Sequence, residues 1–565
     1  MKCKHVIPFL AAALLAGTGG AEAASLSSPA ASGASLIVGV PRIAPLRDLG
    51  RAPSRTPVDL AVQLPYRQAS ELRHLVEAQR DAASPQYRHF LTPVQFRTYF
   101  APPQTDYQRA VAALVRAGFH VETIPNGTLI RAVGDARLAE RYFATQIHLV
   151  SPARGTVNYM NVRPATVPRE LGAAHVEGLD NIVRMRVASS VGSHQPRQLA
   201  RVHGPLFGPD GGFGPLGVAQ TEDMPVQHGY TGANVNVADL IDGVVSDSDV
   251  ATFLGEFGIK RSGPRTTHIR VDGGCSAGTF GCFDNFPATL DAEWALAMAP
   301  GASMFTYEVP SLSSASILDG LSRIASDDAV NVVNISFGAC ELNLADLTLA
   351  IQPVVAQAAA EGITVESIAF GGANVCGVGL ALPQSPADLD TVTAIGGSSV
   401  FADKNGRLLQ ESGFSGSNGG VSLIISLPSY QASTPGVDKS GRNVPDVVLP
   451  SAVDGSGPSV YFGGAWVGGF QFVNNAPYAG YLATVQEMYG GTPLGNAAPY
   501  LYDVFDKHGY GKFFHDITLG CNGSVNGHAV CARPGYDITG GIGSIIGYNL
   551  AREFALGPIQ PPTHP

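Results

Sequence analysis

The stretch VNVVNISFGACELNLADLTLAIQPVVAQAAAEGITVESIAF, residues 330–370, decides the fold. It begins with a short run rich in Val and Ile and continues through a long segment of helix-forming residues, 344–362. It ends in a second β-branched run, 362–370. Two short apolar strands joined by a helix are typical of a right-handed crossover, which makes the two strands parallel in one sheet. This unit predicts an α/β fold.

The same alternation extends in both directions from about Leu216 to the end of the chain. Apolar runs rich in Val, Ile and Thr recur at 233–242, 302–309 and 390–397, and LDAEWALAMA, residues 290–299, reads as an intervening helix. Near-continuous apolar strands indicate a parallel sheet with helices on both faces. Active sites in such sheets lie beyond the carboxyl ends of the strands.

Residues 35–186 form a different kind of unit. A helix is predicted at 69–79, and a hairpin is predicted to turn at Asn126-Gly127. Capping signals predict the starts of two further helices at Thr92 and Thr105, each followed by a Gln three residues later, and Gly118 is expected to end the second helix. We therefore expect a small α+β domain without a cluster of catalytic residues.

Composition and the N-terminus limit the possible partners and compartment. The chain has 565 residues, 15% of them charged, and a formal net charge of −10, which argues against nucleic acid as a partner. Residues 1–23 have the basic start, short apolar run and AEA cleavage site of a secretory signal. No other run approaches the roughly twenty apolar residues that span a bilayer. We expect a secreted or periplasmic monomer without a membrane partner.

Six cysteines remain after the signal, which carries Cys3. An even number in an oxidising compartment suggests three disulfides. Fifteen pairings are formally possible. The simplest prediction pairs neighbours in sequence: Cys275–Cys282, Cys340–Cys376 and Cys521–Cys531.

A Gly/Pro-rich segment, 187–215, separates the two units and reads equally well as a propeptide cleavage region or as an ordinary linker. The order of motifs around it resembles the sedolisins, secreted serine-carboxyl peptidases with a subtilisin-like fold. The resemblance rests on SPQYRHFLTPVQFRTYFAP (84–102), LDAEWALAMAPGA (290–302), NISFGACE (334–341), VPDVVLPSAVDG (444–455) and HDITLGCNG (515–523). It implies a prodomain at 35–186 and a subtilisin-like peptidase domain at 216–565.

The resemblance also implies four catalytic positions, and this chain departs at three of them. Sedolisins use a Ser nucleophile, a Glu base with an Asp four residues later on one helix, and a further Asp that donates to the oxyanion. The helix Asp is Asp291, but the Glu position is Pro287, the oxyanion position is Gly371 and the nucleophile position is Val473. Proline, glycine and valine supply neither a proton acceptor nor a nucleophile.

Substitutes for the missing groups are scarce. No Ser, Thr or Cys occurs from 461 to 483, so a shifted alignment does not restore the nucleophile. Tyr461, Tyr478 and Tyr481 are expected to be structural. Of the nearby acids, Asp284 lies two turns before Asp291, Glu293 points away from it, and Glu366 could approach the site only from a strand that is otherwise apolar.

Asn474 and Asn475 stand where the nucleophile-bearing helix would begin. One interpretation is a helix N-cap with local backbone bonds, which we favour. The other is an amide pair that hydrogen-bonds a peptide or another ligand in the old cleft.

A calcium site is the second feature that the resemblance implies. Its two carboxylates match Asp516 and Asp537, and its carbonyl donors match Ile517, Arg533 and Gly535. An all-oxygen set suits one structural Ca²⁺ ion. The alternative is a pair of solvated loop acids.

Two hypotheses about function follow. The favoured one is a pseudo-peptidase that keeps the fold and binds a peptide or protein; the alternative is an acid endopeptidase with a rebuilt site.

Overall fold

The computed structural model describes residues 37–41, 46–124, 127–152, 157–187, 206–275, 285–403, 407–453, 455–467, 474–554 and 556–562. The predicted signal at 1–23, together with Asn126, Cys282, Asp284 and Val473, lies outside the described residues. We call residues 37–187 the N-terminal region and residues 206–562 the body.

The N-terminal region contains a four-stranded antiparallel sheet, ordered β4-β5-β3-β9, and helices packed beside it. In chain order its elements are β1 (Ile37–Val38), β2 (Arg47–Arg51), β3 (Pro57–Gln63), α1 (Ala69–Arg80), α2 (Pro93–Tyr99), α3 (Gln104–Ala117), β4 (His120–Thr123), β5 (Leu129–Asp135), α4 (Ala136–Tyr142), β6 (Ile147–Ser151), β7 (Asn158–Asn161), β8 (Ala165–Thr166), β9 (His175–Glu177) and β10 (Arg186–Val187).

Local signals in this region were correct except at one helix start. The capping box at Thr92 forms in both directions, and Gly118 ends α3 in the left-handed conformation. The predicted hairpin forms between β4 and β5. The predicted cap at Thr105 is wrong: α3 begins at Gln104 after Pro103, without a side-chain cap, because the fixed φ of proline already sets the helical entry.

The body is a helix-flanked sheet of ten strands. Its elements are α5 (Pro215–Thr221), β11 (Asn236–Ile241), α6 (Asp247–Glu256), β12 (Thr267–Arg270), α7 (Asn285–Met298), β13 (Ser303–Glu308), α8 (Ser314–Asp327), β14 (Val332–Ile335), β15 (Phe337–Cys340), α9 (Ala345–Ala360), β16 (Thr364–Ile368), β17 (Gln384–Ser385), β18 (Val392–Ala402), β19 (Leu408–Gly413), β20 (Gly420–Val421), β21 (Asn443–Val444), β22 (Val447–Val453), β23 (Tyr461–Phe462), β24 (Ala465–Trp466), α10 (Asn475–Met488), α11 (Ala498–His508), β25 (Phe514–His515), β26 (Cys521–Val525), β27 (His528–Cys531), β28 (Ser544–Ile545) and α12 (Gly547–Glu553).

The main sheet confirms the predicted α/β class. Its order is β12-β13-β11-β14-β16-β18-β22-β28-β25, with β19 attached to β18. The strands from β12 to β28 are parallel, and only β19 and β25 pair antiparallel. Helices α7 and α10 pack on each other and on the central strands, while α8 and α9 form a second pair.

The N-terminal region is joined to the body by a shared apolar cluster and a shared sheet. Helices α1 and α2 and the residues next to them bring five side chains against the alanines of α9: Tyr66, Leu72, Val76, Phe96 and Phe100 pack with Ala356, Ala359 and Ala360. The hydroxyl of Tyr66 donates to Gln357 at 2.9 Å. Strand β10 pairs antiparallel with β15, matching Val187 with Phe337.

Two predicted disulfides form, Cys340–Cys376 and Cys521–Cys531. Cys275 is also disulfide-bonded, although its predicted partner lies outside the described residues. None of the helices in the described part of the chain is long and apolar enough to cross a membrane.

Candidate functional site

Asp291 lies in the second turn of α7, a helix whose side chains are almost all buried. Its own exposed fraction is 2%. Pro287 is in the first turn, where a helical N–H has no intrahelical partner, so proline is tolerated there. The helix therefore keeps its position and its Asp, while the position one turn earlier carries no titratable group.

Gly371 has no carboxylate, and its backbone also adopts a positive φ that favours glycine over other residues. Its φ is +95° and that of Gly372 is +77°. A Cβ atom on Gly371 would meet Cγ2 of Val375 at 2.7 Å. An Asp at this position would be strained and would clash with Val375, so this loop conformation favours glycine.

Asn474 stands at the start of α10 without capping it. Its amide Nδ2 donates to the carbonyls of Ile395 at 3.0 Å and Gly396 at 2.6 Å, and its Oδ1 accepts from Ser451. No side-chain cap bond forms. Asn474 therefore occupies the predicted N-cap position without making the predicted side-chain bond, because its Oδ1, the atom that would accept the capping bond, accepts from Ser451 instead.

Asn475 ties the first turn of α10 to the end of β14. Its amide donates to Asn334 Oδ1 at 2.6 Å and to Ser336 Oγ at 2.7 Å. Its exposed fraction is 1%. The two asparagines are thus buried structural ties rather than exposed ligand contacts.

These contacts belong to a polar row that crosses the parallel sheet. Register pairs Thr306 with Asp239, Asp239 with Asn334, Asn334 with Glu366, and Glu366 with Thr393. Directly paired residues point to the same face of a sheet. Because Asn334 contacts Asn475, that face is the one covered by α7 and α10. All five side chains of the row are buried.

Three carboxyl groups meet at this row, and burial raises the pKa of each one. Burial raises the pKa of Asp291 to about 7, although hydrogen bonds from Ser336 and Asn334 oppose the shift. Burial, and then the charge of Asp291, raises the pKa of Asp239 and of Glu366 well above their usual range. Glu366 therefore does approach Asp291, as one alternative from the sequence allowed.

Several polar atoms of this cluster have no hydrogen-bond partner among the described residues. They are Asp239 Oδ2, Asp291 Oδ2, both carboxyl oxygens of Glu366, Asn475 Oδ1 and the Tyr478 hydroxyl. Such groups are costly in a core unless they stay neutral. The arrangement is a buried, proton-holding cluster rather than an open site that presents a charged base to a substrate.

Other residues considered from the sequence play structural roles. Glu293 faces away from Asp291 and accepts from the backbone N–H of Tyr461. Tyr478 and Tyr481 are buried within α10. Sequence analysis missed Asp239, Asn334 and Ser336; the available signal was one polar residue inside each of several consecutive apolar strands.

The residues proposed for calcium gather around one loop. Asp516 accepts from the N–H of Gly535 at 2.9 Å, and Asp537 accepts from the N–H of Arg533 at 2.7 Å. Ile517, whose carbonyl completes the predicted set, is buried beside Asp516. No group of three or more His, Cys, Asp or Glu side chains that could hold a metal occurs in the described ranges. The predicted set depends on two carboxylates plus carbonyls, and these oxygens fit a hard cation.

The pro-kumamolisin activation domain profile matches residues 45–182. Sedolisin of Pseudomonas sp. (strain 101) is 27% identical over 525 residues, covering 86% of this chain and 85% of that protein. These two matches support a relationship to the sedolisin family over most of the chain. Tripeptidyl-peptidase 1 of Bos taurus is 26% identical over 533 residues, covering 88% of this chain and 91% of that protein.

A solved structure of Pseudomonas sedolisin, a serine-carboxyl proteinase complexed with two molecules of pseudo-iodotyrostatin, has a TM-score of 0.54. It is 23% identical and covers 60% of this chain and 97% of that chain. The likeness confirms the subtilisin-like sedolisin fold of the body. The N-terminal region corresponds to the activation domain of the family.

The carboxyl cluster predicts that the protein is more stable in acid than at neutral pH. A buried acid with a raised pKa stabilises the fold while it is protonated, and this contribution is lost as pH rises through its folded pKa. Between about pH 5 and about pH 8, the free energy of unfolding should fall by up to about 1.4 kcal/mol per pH unit for each such proton. Urea unfolding at a series of pH values measures this slope.

The matched variants are Glu366→Gln, which removes one titrating group of the cluster, and Glu256→Gln at an exposed position on α6. The first should flatten the slope and the second should leave it unchanged. A free energy of unfolding that rises towards neutral pH would contradict the protonated cluster.

Proposed function

We propose that this sedolisin-family protein is an exported pseudo-peptidase that binds an extended peptide or protein segment without cleaving it. The observation that carries the proposal is the coincidence of three replacements in one site. Pro287 and Gly371 replace two catalytic groups on backbones suited to proline and glycine, and Val473 replaces the nucleophile. Removal of a single member of such a catalytic unit already eliminates most of the rate enhancement.

The surroundings of Asp291 also favour this proposal. Asp291, the one retained catalytic position, is buried, and its neighbours are the amide of Asn334, the hydroxyl of Ser336 and other carboxyl groups. A general base must reach the proton that it abstracts from a bound nucleophile. A buried, protonated carboxyl is poorly suited to that task.

Binding of an extended segment is supported by backbone pairing within the chain itself, at strand β15. Arg186 and Val187 pair with Gly338 and Phe337 of β15, directly after Ser336. The N–H of Met185 donates to the carbonyl of Leu312 at 3.0 Å, which continues the same extended path. This edge therefore accepts a strand by backbone hydrogen bonding, the general mode of β-augmentation. An external segment would compete with Arg186–Val187.

One contact favours the alternative, an acid endopeptidase with a rebuilt site. Ser336 hydrogen-bonds Asp291, so a hydroxyl and a carboxyl do meet. Ser336 is buried, however, and its oxygen also accepts from the amides of Asn334 and Asn475. The hydroxyl is thus held by structural contacts rather than directed at a cleft.

The decisive assay uses full-length protein and fluorescently labelled carboxymethylated casein between about pH 3 and about pH 5, since buried acids favour acidic conditions. We expect binding by fluorescence anisotropy and no cleavage above background. Val473→Ser alone should not restore cleavage, because the base and oxyanion positions remain Pro287 and Gly371.

Wild-type cleavage that disappears in Asp291→Ala or in Ser336→Ala would refute the pseudo-peptidase and support the rebuilt enzyme. Absence of both cleavage and binding would contradict the binding half of the proposal.

We further propose that Asp516 and Asp537, with the carbonyls of Ile517, Arg533 and Gly535, hold one structural Ca²⁺. A ligand that binds only the folded state stabilises it by mass action, roughly 2.7 kcal/mol at about 100 times its Kd. Thermal unfolding should therefore shift upward with Ca²⁺, and Asp516→Asn should abolish the shift. Asp438→Asn, in another loop, should retain it; an Asp516→Asn variant with the full Ca²⁺ shift would contradict the site.

A further inference from the structure

One guanidinium joins the N-terminal region to the body through several carboxylates. Arg131 of β5 approaches Asp59 at 2.5 Å and Glu122 at 3.0 Å within its own region. It also approaches Asp272 of the body at 3.2 Å. The exposed fraction of the Arg131 side chain is 16%, so the interactions occur largely away from solvent. Arg131 is therefore a largely buried electrostatic link between the two regions, and the more exposed pair of Arg80 with Asp503 is another.

The same interface brings more acids than bases together. Asp319 of α8 hydrogen-bonds Asp272, so two carboxyl groups of the body meet behind Arg131. A cavity of about 180 Å³ lies here, and its lining includes Asp59, Asp180, Arg184 and Asp319. Two cations, Arg131 and Arg184, thus lie among five carboxyl groups. These belong to Asp59, Glu122, Asp180, Asp272 and Asp319. Helix α8 carries a cation of its own, Arg323, which is paired with Asp327 on the same helix.

A carboxyl–carboxyl hydrogen bond exists only while one partner carries a proton. If Asp319 ionises, two adjacent negative charges on the body face the acids of the N-terminal region, and Arg131 cannot neutralise all of them. The contact between β3, β5 and α8 therefore depends on a bound proton.

A second acidic contact lies nearby at the start of α8. Glu177 of β9 is close to Ser314, and the negative charges that act on it come from Asp180 and from Asp346 of the body. His175 of the same strand is also buried and faces Asp346. Because burial lowers the pKa of His175, its protonation in acid opposes the effect of the carboxyl groups.

We propose that this interface is an acid-stabilised clamp, which holds the N-terminal region on the body more tightly in acid than at neutral or alkaline pH. The region would then remain bound in acid even after the segment at 188–205 is cut. The clamp rests on the interface and does not depend on whether the body cleaves peptides.

The direction of the pH effect follows from proton linkage. Burial, together with the hydrogen bond to Asp272, raises the pKa of Asp319 to about 9 in the assembled chain. Burial likewise raises the pKa of Asp180 to about 6. Separation exposes these carboxyl groups and lowers their pKa, so association takes up protons. Affinity therefore falls as pH rises, by up to roughly tenfold per pH unit for each proton.

The test places a specific protease site within 188–205 of the full chain and cuts it completely. Size-exclusion chromatography in increasing urea then measures how readily the N-terminal region is released. We expect release at a lower urea concentration at about pH 8 than at about pH 5, equivalent to at least a roughly tenfold change in affinity.

Asp319→Asn provides the sharpest variant, because its amide can donate to Asp272 at every pH. It should keep the region bound at about pH 8 and so reduce the pH dependence. Glu256→Gln, at an exposed position on α6, should behave as wild type. Equal release at the two pH values, or wild-type pH dependence in Asp319→Asn, would overturn the clamp.

Discussion

The amide of Asn475 ties the first turn of α10 to the end of β14, through Asn334 and Ser336. In the family this helix start presents the nucleophile, so its position determines what the site can do. Here the hydrogen bonds of Asn475 are buried, and their acceptors, Asn334 and Ser336, are the same residues that contact Asp291. Asn474 adds further hydrogen bonds, from its amide to the carbonyls of Ile395 and Gly396 in β18. The start of α10 is thereby held by buried hydrogen bonds, although several polar atoms of the neighbouring cluster have no hydrogen-bond partner among the described residues.

Burial of acids is the common physical cause behind the site and the interface. Asp239, Asp291 and Glu366 lie in one row under α7 and α10, and Asp319 lies under the N-terminal region. In each place a carboxyl group is removed from water without a matching cation, so it binds a proton. The raised pKa values of these buried acids predict a fold that is more stable in acid than at neutral pH.

Much of the fold could be predicted from the sequence, because its signals are local. The capping box at Thr92 and the glycine at 118 act over a few residues, and the apolar runs identify the strands. The polar row could not be predicted in the same way. Asp239, Asn334 and Glu366 are about 100 and 30 residues apart, and they meet only because strand register aligns them. The side-chain bonds of Asn474 were mispredicted for the same reason, since its partners belong to a distant strand.

The most direct test of the central claim, a preserved scaffold without hydrolysis, is the intact mass of the full-length protein after incubation at about pH 4, where a sedolisin-like acid site would act. The measurement is made at two protein concentrations and repeated with Asp291→Ala. A single mass that does not change with time, in wild type and variant alike, is the predicted result. Fragments split within 187–215, formed at a rate independent of concentration and absent from Asp291→Ala, would contradict the account.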